Sequence, residues 1–126
     1  MDPTVFDHDE ALRRLGGDRE LLHEVAGIFL DDAPAMLAAI ERTLAEHDPE
    51  EMFQAAHKLK GAAANFSARG VIAATLTLER LGTARNLEGA DAAFQRVRVE
   101  TDRFVAALHS LMREGPEPRD VERPRD

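Results

Sequence analysis

The sequence predicts an all-α fold, an antiparallel up-down four-helix bundle with a short additional N-terminal helix. Three observations lead to this prediction. The chain of 126 residues is 44% hydrophobic and 32% charged, so it can bury one core of ordinary size. No segment alternates with the period of two that a strand needs. Apolar residues instead recur at spacings of three and four along four long segments joined by short connections, which is typical of a bundle.

The first helix is predicted at about residues 9–15. Asp7 is placed to cap its N-terminus, and Glu10, three residues on, is placed to return a hydrogen bond to the capping residue. Gly16 and Gly17 should end it. A helix this short needs the rest of the fold for its stability, so we expect it to cover one end of the bundle.

The second helix should begin after Asp18 and carries a long apolar stripe that needs a partner. Pro34 lies inside it and removes one backbone hydrogen bond. Either a kink near Asp31 or two abutting helices would satisfy this pattern, and we favour one kinked helix.

The third helix has a strong start signal, in which Asp48 is the N-cap, Pro49 takes the first helical position and Glu51 follows at the capping-box position. It should run to about Asn65. The next helix is predicted to be capped by Ser67 and to weaken and end at Gly82 and Asn86.

The last helix should span about residues 89–113. Its apolar positions form a narrow seam suited to packing at a small crossing angle: Phe94, Val97, Thr101, Phe104, Leu108 and Leu111. From Gly115 onward the chain is rich in proline and charge. We therefore divide it into a bundle at residues 1–114 and a disordered tail or linker at 115–126.

Composition excludes several classes of function. The formal net charge of −8 is opposite in sign to that of a nucleic-acid-binding surface. Cysteine is absent, which rules out a disulfide framework and a thiolate metal site, and the longest apolar runs are too short to span a membrane. A cytoplasmic protein that does not insert into membranes fits these properties. The histidines other than His57 lack metal-ligand spacing, and no nucleotide-binding motif is present.

His57 is the histidine that stands out. Projected on a helical wheel, the third helix directs one stripe to the core and His57 roughly 140° away from the centre of that stripe. Lys60 and Gly61 lie one turn further on, beside His57 on the helix surface. The lysine supplies positive charge, and the glycine leaves space for another molecule. A ring nitrogen of neutral imidazole is a nucleophile, so this face is suited to accept a phosphoryl group.

This segment resembles the signature of the histidine-containing phosphotransfer domain of two-component phosphorelays, in which His is followed by Leu-Lys-Gly and small residues. Here it reads His57-Lys58-Leu59-Lys60-Gly61-Ala62-Ala63-Ala64. The N-terminal half is also similar, from Leu15-Gly16-Gly17-Asp18 to Pro34 and Leu37, and the resemblance covers about residues 4–113.

The resemblance implies a phosphocarrier without kinase activity of its own. His57 would accept a phosphoryl group from the aspartyl phosphate of one response-regulator receiver domain and pass it to another receiver. Lys60 and Lys58 would neutralise phosphate oxygens, and Gly61 would let the receiver approach. The resemblance implies no cofactor on this chain, with Mg²⁺ expected on the receiver. Receivers, and in some systems a hybrid sensor histidine kinase, are the implied partners of a monomer.

Two further expectations come from the resemblance. Family members often hold the imidazole with a polar side chain from the neighbouring helix, and Glu79 is our candidate for that role. Receivers would dock on an apolar patch near His57, for which Leu12 and Phe29 are candidates. One departure is Ser67, since many members carry a second glycine ten residues after the histidine. This change should shift a helix end slightly.

Two alternatives stay open at this point. The same bundle could bind receivers without accepting phosphate, or it could be a structural or oligomerisation unit, as the seam of the last helix would also permit. The sequence leaves open whether the chain is free-standing or a module of a hybrid kinase, which receivers it meets, in which direction phosphate flows and what signal it carries.

Overall fold

Five helices make up the part of the chain that the structure, a computed structural model, describes, which is residues 5–115. They are α1 (His8–Arg14), α2 (Arg19–Ala45), α3 (Pro49–Ala64), α4 (Arg69–Thr83) and α5 (Ala90–Glu114). The predicted four-helix bundle with an extra N-terminal helix is confirmed. Most of the predicted tail, residues 116–126, lies outside the described residues, so the tail stays a prediction.

The four long helices pack in a ring, in which α2 contacts α3, α3 contacts α4, α4 contacts α5 and α5 returns to α2. The neighbours α2 and α5 run antiparallel. A ring nitrogen of His23, near the start of α2, lies 3.0 Å from the carbonyl oxygen of Leu111, near the end of α5. Further along, Glu41 of α2 meets Arg98 of α5 at 3.8 Å.

The core lies where the helical periodicity predicts it. The predicted seam of α5 is buried along its whole length. The inward stripe of α3 and the residue that follows the helix are also buried: Met52, Ala56, Leu59, Ala63 and Phe66. At one end of the bundle Phe6 packs on Phe66 with ring centroids 5.9 Å apart, so the N-terminal segment helps to cover that end.

Three helices begin at an aspartate whose carboxylate accepts a hydrogen bond from the backbone N–H three residues on: Asp7, Asp18 and Asp48. These caps are as predicted. The prediction for Glu10 is wrong, because its carboxylate contacts Arg14 at 3.3 Å and Arg69 at 3.1 Å instead of returning to the capping residue. An ion pair with two guanidinium groups replaces the second half of the capping box.

Pro34 does not divide α2, which continues as one helix from Arg19 to Ala45. The two abutting helices that the sequence also permitted are therefore excluded. The side chain of Pro34 is on the exposed face. Because proline has no N–H, the helix continues there with one backbone hydrogen bond fewer.

Ser67 does not cap α4, so this prediction is wrong. The capping residue is Ala68, which has no side chain able to accept a hydrogen bond. Ser67 precedes it with φ +52°, in the left-handed region that glycine adopts without strain. Its buried hydroxyl makes no well-directed hydrogen bond, although it lies near enough to Glu10 to lower the pKa of that carboxyl. The backbone conformation explains why glycine suits this position.

Gly82 lies inside α4 and does not end it. The helix ends at Thr83, and Arg85 then takes a left-handed φ of +54°. A Cβ on Gly82 would lie 2.7 Å from the carbonyl oxygen of Pro49 and 3.0 Å from Cβ of Phe53. Glycine is therefore required here by the close approach of α4 to the first turns of α3.

Candidate functional site

His57 lies near the middle of α3 and faces outward. Its side chain is 60% exposed, whereas its neighbour Ala56 and, two residues on, Leu59 are fully buried in the core. The helical wheel predicts this orientation, because a residue roughly 140° from the buried stripe cannot share it.

Glu79, on α4, reaches across to His57. Its Oε2 lies 2.6 Å from Nδ1 of the imidazole, and its Oε1 accepts a hydrogen bond of 2.6 Å from Nζ of Lys60. The Glu79 side chain is only 6% exposed, so both bonds form in a largely water-excluded place. We refer to His57, Glu79 and Lys60 as the histidine cluster.

The Glu79 carboxylate is ionised at neutral pH. Burial alone would raise its pKa, but the hydrogen bonds and charges of Lys60 and His57 outweigh burial and leave the pKa below its ordinary value. A buried carboxylate that is held ionised by two donors is a fixed negative charge beside the imidazole.

This arrangement selects one form of the imidazole. A carboxylate only accepts hydrogen bonds, so at a distance of 2.6 Å Nδ1 must carry the proton and donate it to Glu79. In the neutral ring Nε2, on the other edge, then keeps its lone pair. An exposed imidazole with a fixed tautomer can act as a nucleophile, and the carboxylate stabilises the positive charge that the ring acquires when Nε2 forms a bond.

Phe53 is a member of this site that the sequence reasoning missed. Its ring lies parallel to the imidazole of His57, with an interplanar angle of 8° and ring centroids 5.7 Å apart. The spacing in the sequence could have predicted this contact, because an aromatic residue four positions before a histidine shares its helix face.

Gly61 and Lys58 flank the histidine cluster on the surface of α3. Gly61 is exposed, and a Cβ added to it would meet nothing within 4 Å. Internal packing therefore does not require glycine there. Lys58 is exposed and lines a groove between α2 and α3, so the structure brings it to the α2 side and away from Glu79.

The groove between α2 and α3 has a volume of ≈ 150 Å³. Its apolar wall includes Ile28, which is 60% exposed, and the partly buried Val25. Of our two predicted patch residues, Phe29 lines the floor of this groove but adds almost no exposed surface, because it is only 3% exposed and packs against Phe66 and Phe104 in the core. Leu12 lines a different cavity, with Gly16 and Gly17 at the end of α1.

The remaining described histidines do not join this site. His23 contacts the backbone of α5, and His8 lies 3.8 Å from Asp9. Across residues 5–115 no group of three or more His, Cys, Asp or Glu side chains is arranged to hold a metal ion. None of the helices in this part of the chain is both long and apolar enough to cross a membrane.

Comparisons with known proteins bear on the family and the fold. The family model for the Hpt domain matches residues 24–115. The crystal structure of the HPT domain from a sensor hybrid histidine kinase of Shewanella superposes with a TM-score of 0.79 at 18% sequence identity, covering 90% of this chain and 97% of that chain. A search of curated proteins found no match. The structural likeness, at this identity, shows that the fold is shared.

Proposed function

The chain belongs to the Hpt domain family, which gives it a phosphotransfer role in a phosphorelay, and from this premise we propose that Nε2 of His57 is the phosphoryl acceptor. In this proposal the donor is the aspartyl phosphate of a receiver domain, and the acceptor is the aspartate of another. The observation that carries the proposal is the bond of 2.6 Å between Nδ1 of His57 and buried Glu79, on a ring whose side chain is 60% exposed.

The phosphoryl transfer needs no base to remove a proton from the imidazole. Nε2 attacks phosphorus, the bond between phosphorus and the aspartyl oxygen breaks, and the aspartate leaves as a carboxylate. The imidazole keeps the proton on Nδ1 and becomes positively charged, next to the negative charge of Glu79. Because no proton has to be removed, Glu79 acts by stabilising the charged ring and not as a general base. The same steps in reverse return the phosphoryl group to an aspartate.

Lys60 has a more indirect part than the sequence suggests. Its Nζ is bonded to Oε1 of Glu79, so in this state its charge compensates the carboxylate. The Lys60 side chain is still 26% exposed and lies one turn from His57. In our proposal it holds Glu79 in place before transfer and turns to the phosphoryl oxygens, as the family resemblance implies, after it.

The groove between α2 and α3 is the proposed receiver contact. It combines the exposed apolar surface of Ile28 with the charges of Lys58 and Asp32, on the α2 side of α3, where Lys58 directly follows His57 in the chain. The open space above Gly61 admits the receiver backbone close to the ring. The receiver would bring its own acidic pocket and Mg²⁺, so this chain would need no bound cofactor. In this proposal it is a cytoplasmic, monomeric phosphocarrier without kinase activity.

A transfer assay tests this proposal. A panel of receiver domains is phosphorylated with a small-molecule donor, each is mixed with this protein, and radiolabel on the bundle is followed with time. We expect at least one receiver to transfer label to the wild type and to His109→Gln, a control at an exposed histidine on α5, but not to His57→Gln.

Circular dichroism should show that both variants fold. Binding of a receiver without transfer, to wild type and His57→Gln alike, would contradict the proposal and favour a module that only binds receivers.

A further inference from the structure

Two layers of contacts join α3 to α4, one turn apart. In the first layer Gly82 of α4 meets Pro49 and Phe53 of α3. In the second layer Glu79 meets His57 and Lys60. The two helices run antiparallel. One turn forward on α3 leads from Phe53 to His57, and one turn back on α4 leads from Gly82 to Glu79. The site that the proposed function uses is therefore next to the closest approach of the two helices.

The first layer leaves no room for a side chain on α4. A Cβ on Gly82 would lie 2.7 Å from the Pro49 carbonyl oxygen and 3.2 Å from the backbone nitrogen of Phe53. Both atoms belong to the backbone of α3, which cannot turn aside as a flexible side chain can. The absence of a side chain at Gly82 thus fixes how near α4 lies to α3, and with it the reach of Glu79 toward the imidazole.

The ring of Phe53 is a second restraint on the imidazole of His57, after the hydrogen bond to Glu79. The hydrogen bond to Glu79 fixes one edge of the imidazole but permits rotation about that bond. The parallel ring of Phe53, with centroids 5.7 Å apart, restricts that rotation from the face. Phe53 is itself half-buried and packed next to Gly82, so it is a firm support for the more exposed imidazole.

We propose that Phe53 and Gly82 are positioning residues for phosphoryl acceptance, Phe53 by holding the plane of the His57 ring and Gly82 by setting the helix separation at which Glu79 reaches Nδ1. This inference rests on the proposed function of His57. Neither residue touches the phosphoryl group in this account, and both act through the imidazole.

The test of Phe53 uses labelling by phosphoramidate, a donor too small to need a docking surface. Nε2 attacks phosphorus, the phosphorus–nitrogen bond breaks and ammonia leaves. We expect Phe53→Leu to lower the rate constant about 3- to 10-fold, the factor that corresponds to the usual free energy of a ring–ring contact. Phe53→Tyr, which keeps the ring, should restore most of the rate. Phe94→Leu is the matched control, because it makes the same change at a buried position of α5.

The test of Gly82 is the substitution Gly82→Ala, with Gly27→Ala as its control. A Cβ on Gly27 would meet only the end of Met112, at 3.9 Å, so that variant should behave as wild type. In Gly82→Ala the added methyl should push α4 away and weaken the bond between Glu79 and His57. Nitrogen-15 NMR of the imidazole should then show a mixture of tautomers where the wild type shows the Nδ1–H form.

The two readouts separate this inference from the proposed function. Absence of label on wild-type His57 would overturn the proposed function, whereas the NMR spectra report the ring position in either case. Equal labelling rates and equal imidazole spectra for wild type, Phe53→Leu and Gly82→Ala would overturn the positioning role. Failure of Gly82→Ala to fold while Gly27→Ala folds would overturn the positioning role of Gly82, because the glycine would then be needed for the fold itself. The Phe53 variants would still decide the role of Phe53.

Discussion

Two glutamates of this bundle have carboxylates that are equally buried, but their ion-pair partners differ. Glu79 and Glu100 each have a side chain 6% exposed, and each is paired with two basic groups. The partners of Glu79 come from the next helix, at 2.6 Å each. Those of Glu100 are Arg96 and Arg103 of its own helix, at 3.2 and 3.4 Å. The first pairing ties two helices together, and the second is local to α5.

The difference in partners distinguishes the candidate site from an ion pair within one helix. Glu79 holds an imidazole, which has a second nitrogen for bonding, whereas the guanidinium groups beside Glu100 have hydrogen-bond donors only and no acceptor nitrogen. The groove beside Glu100 is the larger one, at ≈ 430 Å³ against ≈ 150 Å³ for the groove near Lys58. In our proposal, what distinguishes the site is an imidazole held in place by the carboxylate, and not the size of a groove or a buried charge alone.

The largest expected effect comes from neutralising each carboxylate in turn. Glu79→Gln should lower the phosphoramidate labelling rate of His57 about 10- to 100-fold, because a hydrogen bond to a charged group is worth about 1.5–3 kcal/mol. Glu100→Gln should leave the rate within about twofold, because the ion-pair partners of Glu100, Arg96 and Arg103, lie on α5 and outside the histidine cluster. Equal losses in the two variants would remove the distinction between the regions.

A second comparison removes one basic partner from each carboxylate. Lys60→Met leaves buried Glu79 with one donor fewer and should lower the free energy of unfolding by about 1–3 kcal/mol. Arg96→Met should cost about 0–1 kcal/mol, because the Arg96 side chain is 69% exposed and Arg103 still pairs with Glu100. Urea unfolding measures both. A larger loss for Arg96→Met would show that Glu100 is the more tightly held carboxylate.

The stability of the fold should depend on pH through Glu79. Its pKa in the folded state is lowered, so its contribution is complete above the ordinary value of 4.5 and is lost as pH falls through the lower folded pKa. Acidification from neutral pH to about pH 3 should therefore destabilise wild type more than Glu79→Gln, with Glu50→Gln as a control at an exposed carboxyl. Parallel curves for wild type and Glu79→Gln would contradict this.

The smallest effect is expected at the corner that joins α3 to α4. Ser67→Gly relieves a left-handed φ of +52° but adds freedom to the unfolded chain, so we expect a net gain of about 0.5 kcal/mol. Asn65→Gly, at an ordinary φ of −58°, should instead lose a few tenths of a kcal/mol. Labelling of His57 should not change in Ser67→Gly. A loss of stability there would mean that the serine side chain matters more than its backbone.

Sequence periodicity predicts much of this molecule and fails where the answer depends on contact between helices. The buried stripe of α3 and the outward direction of His57 depend on the helical repeat alone, and the aspartate caps are local signals. The close approach at Gly82 and the stack of Phe53 on His57 depend on how two helices pack. Glu79 was suggested by family resemblance, and its distance to Nδ1 required the structure. The left-handed backbone at Ser67 was hidden because serine commonly caps helices.

Labelling with a small phosphoryl donor tests whether His57 is the phosphoryl acceptor. The purified protein is treated with phosphoramidate, and mass spectrometry locates the acid-labile phosphate in wild type, His57→Gln and His109→Gln. We predict label on His57 in wild type and His109→Gln and no label in folded His57→Gln. Label at another residue, or an unlabelled His57 in a folded wild-type protein, would contradict the account.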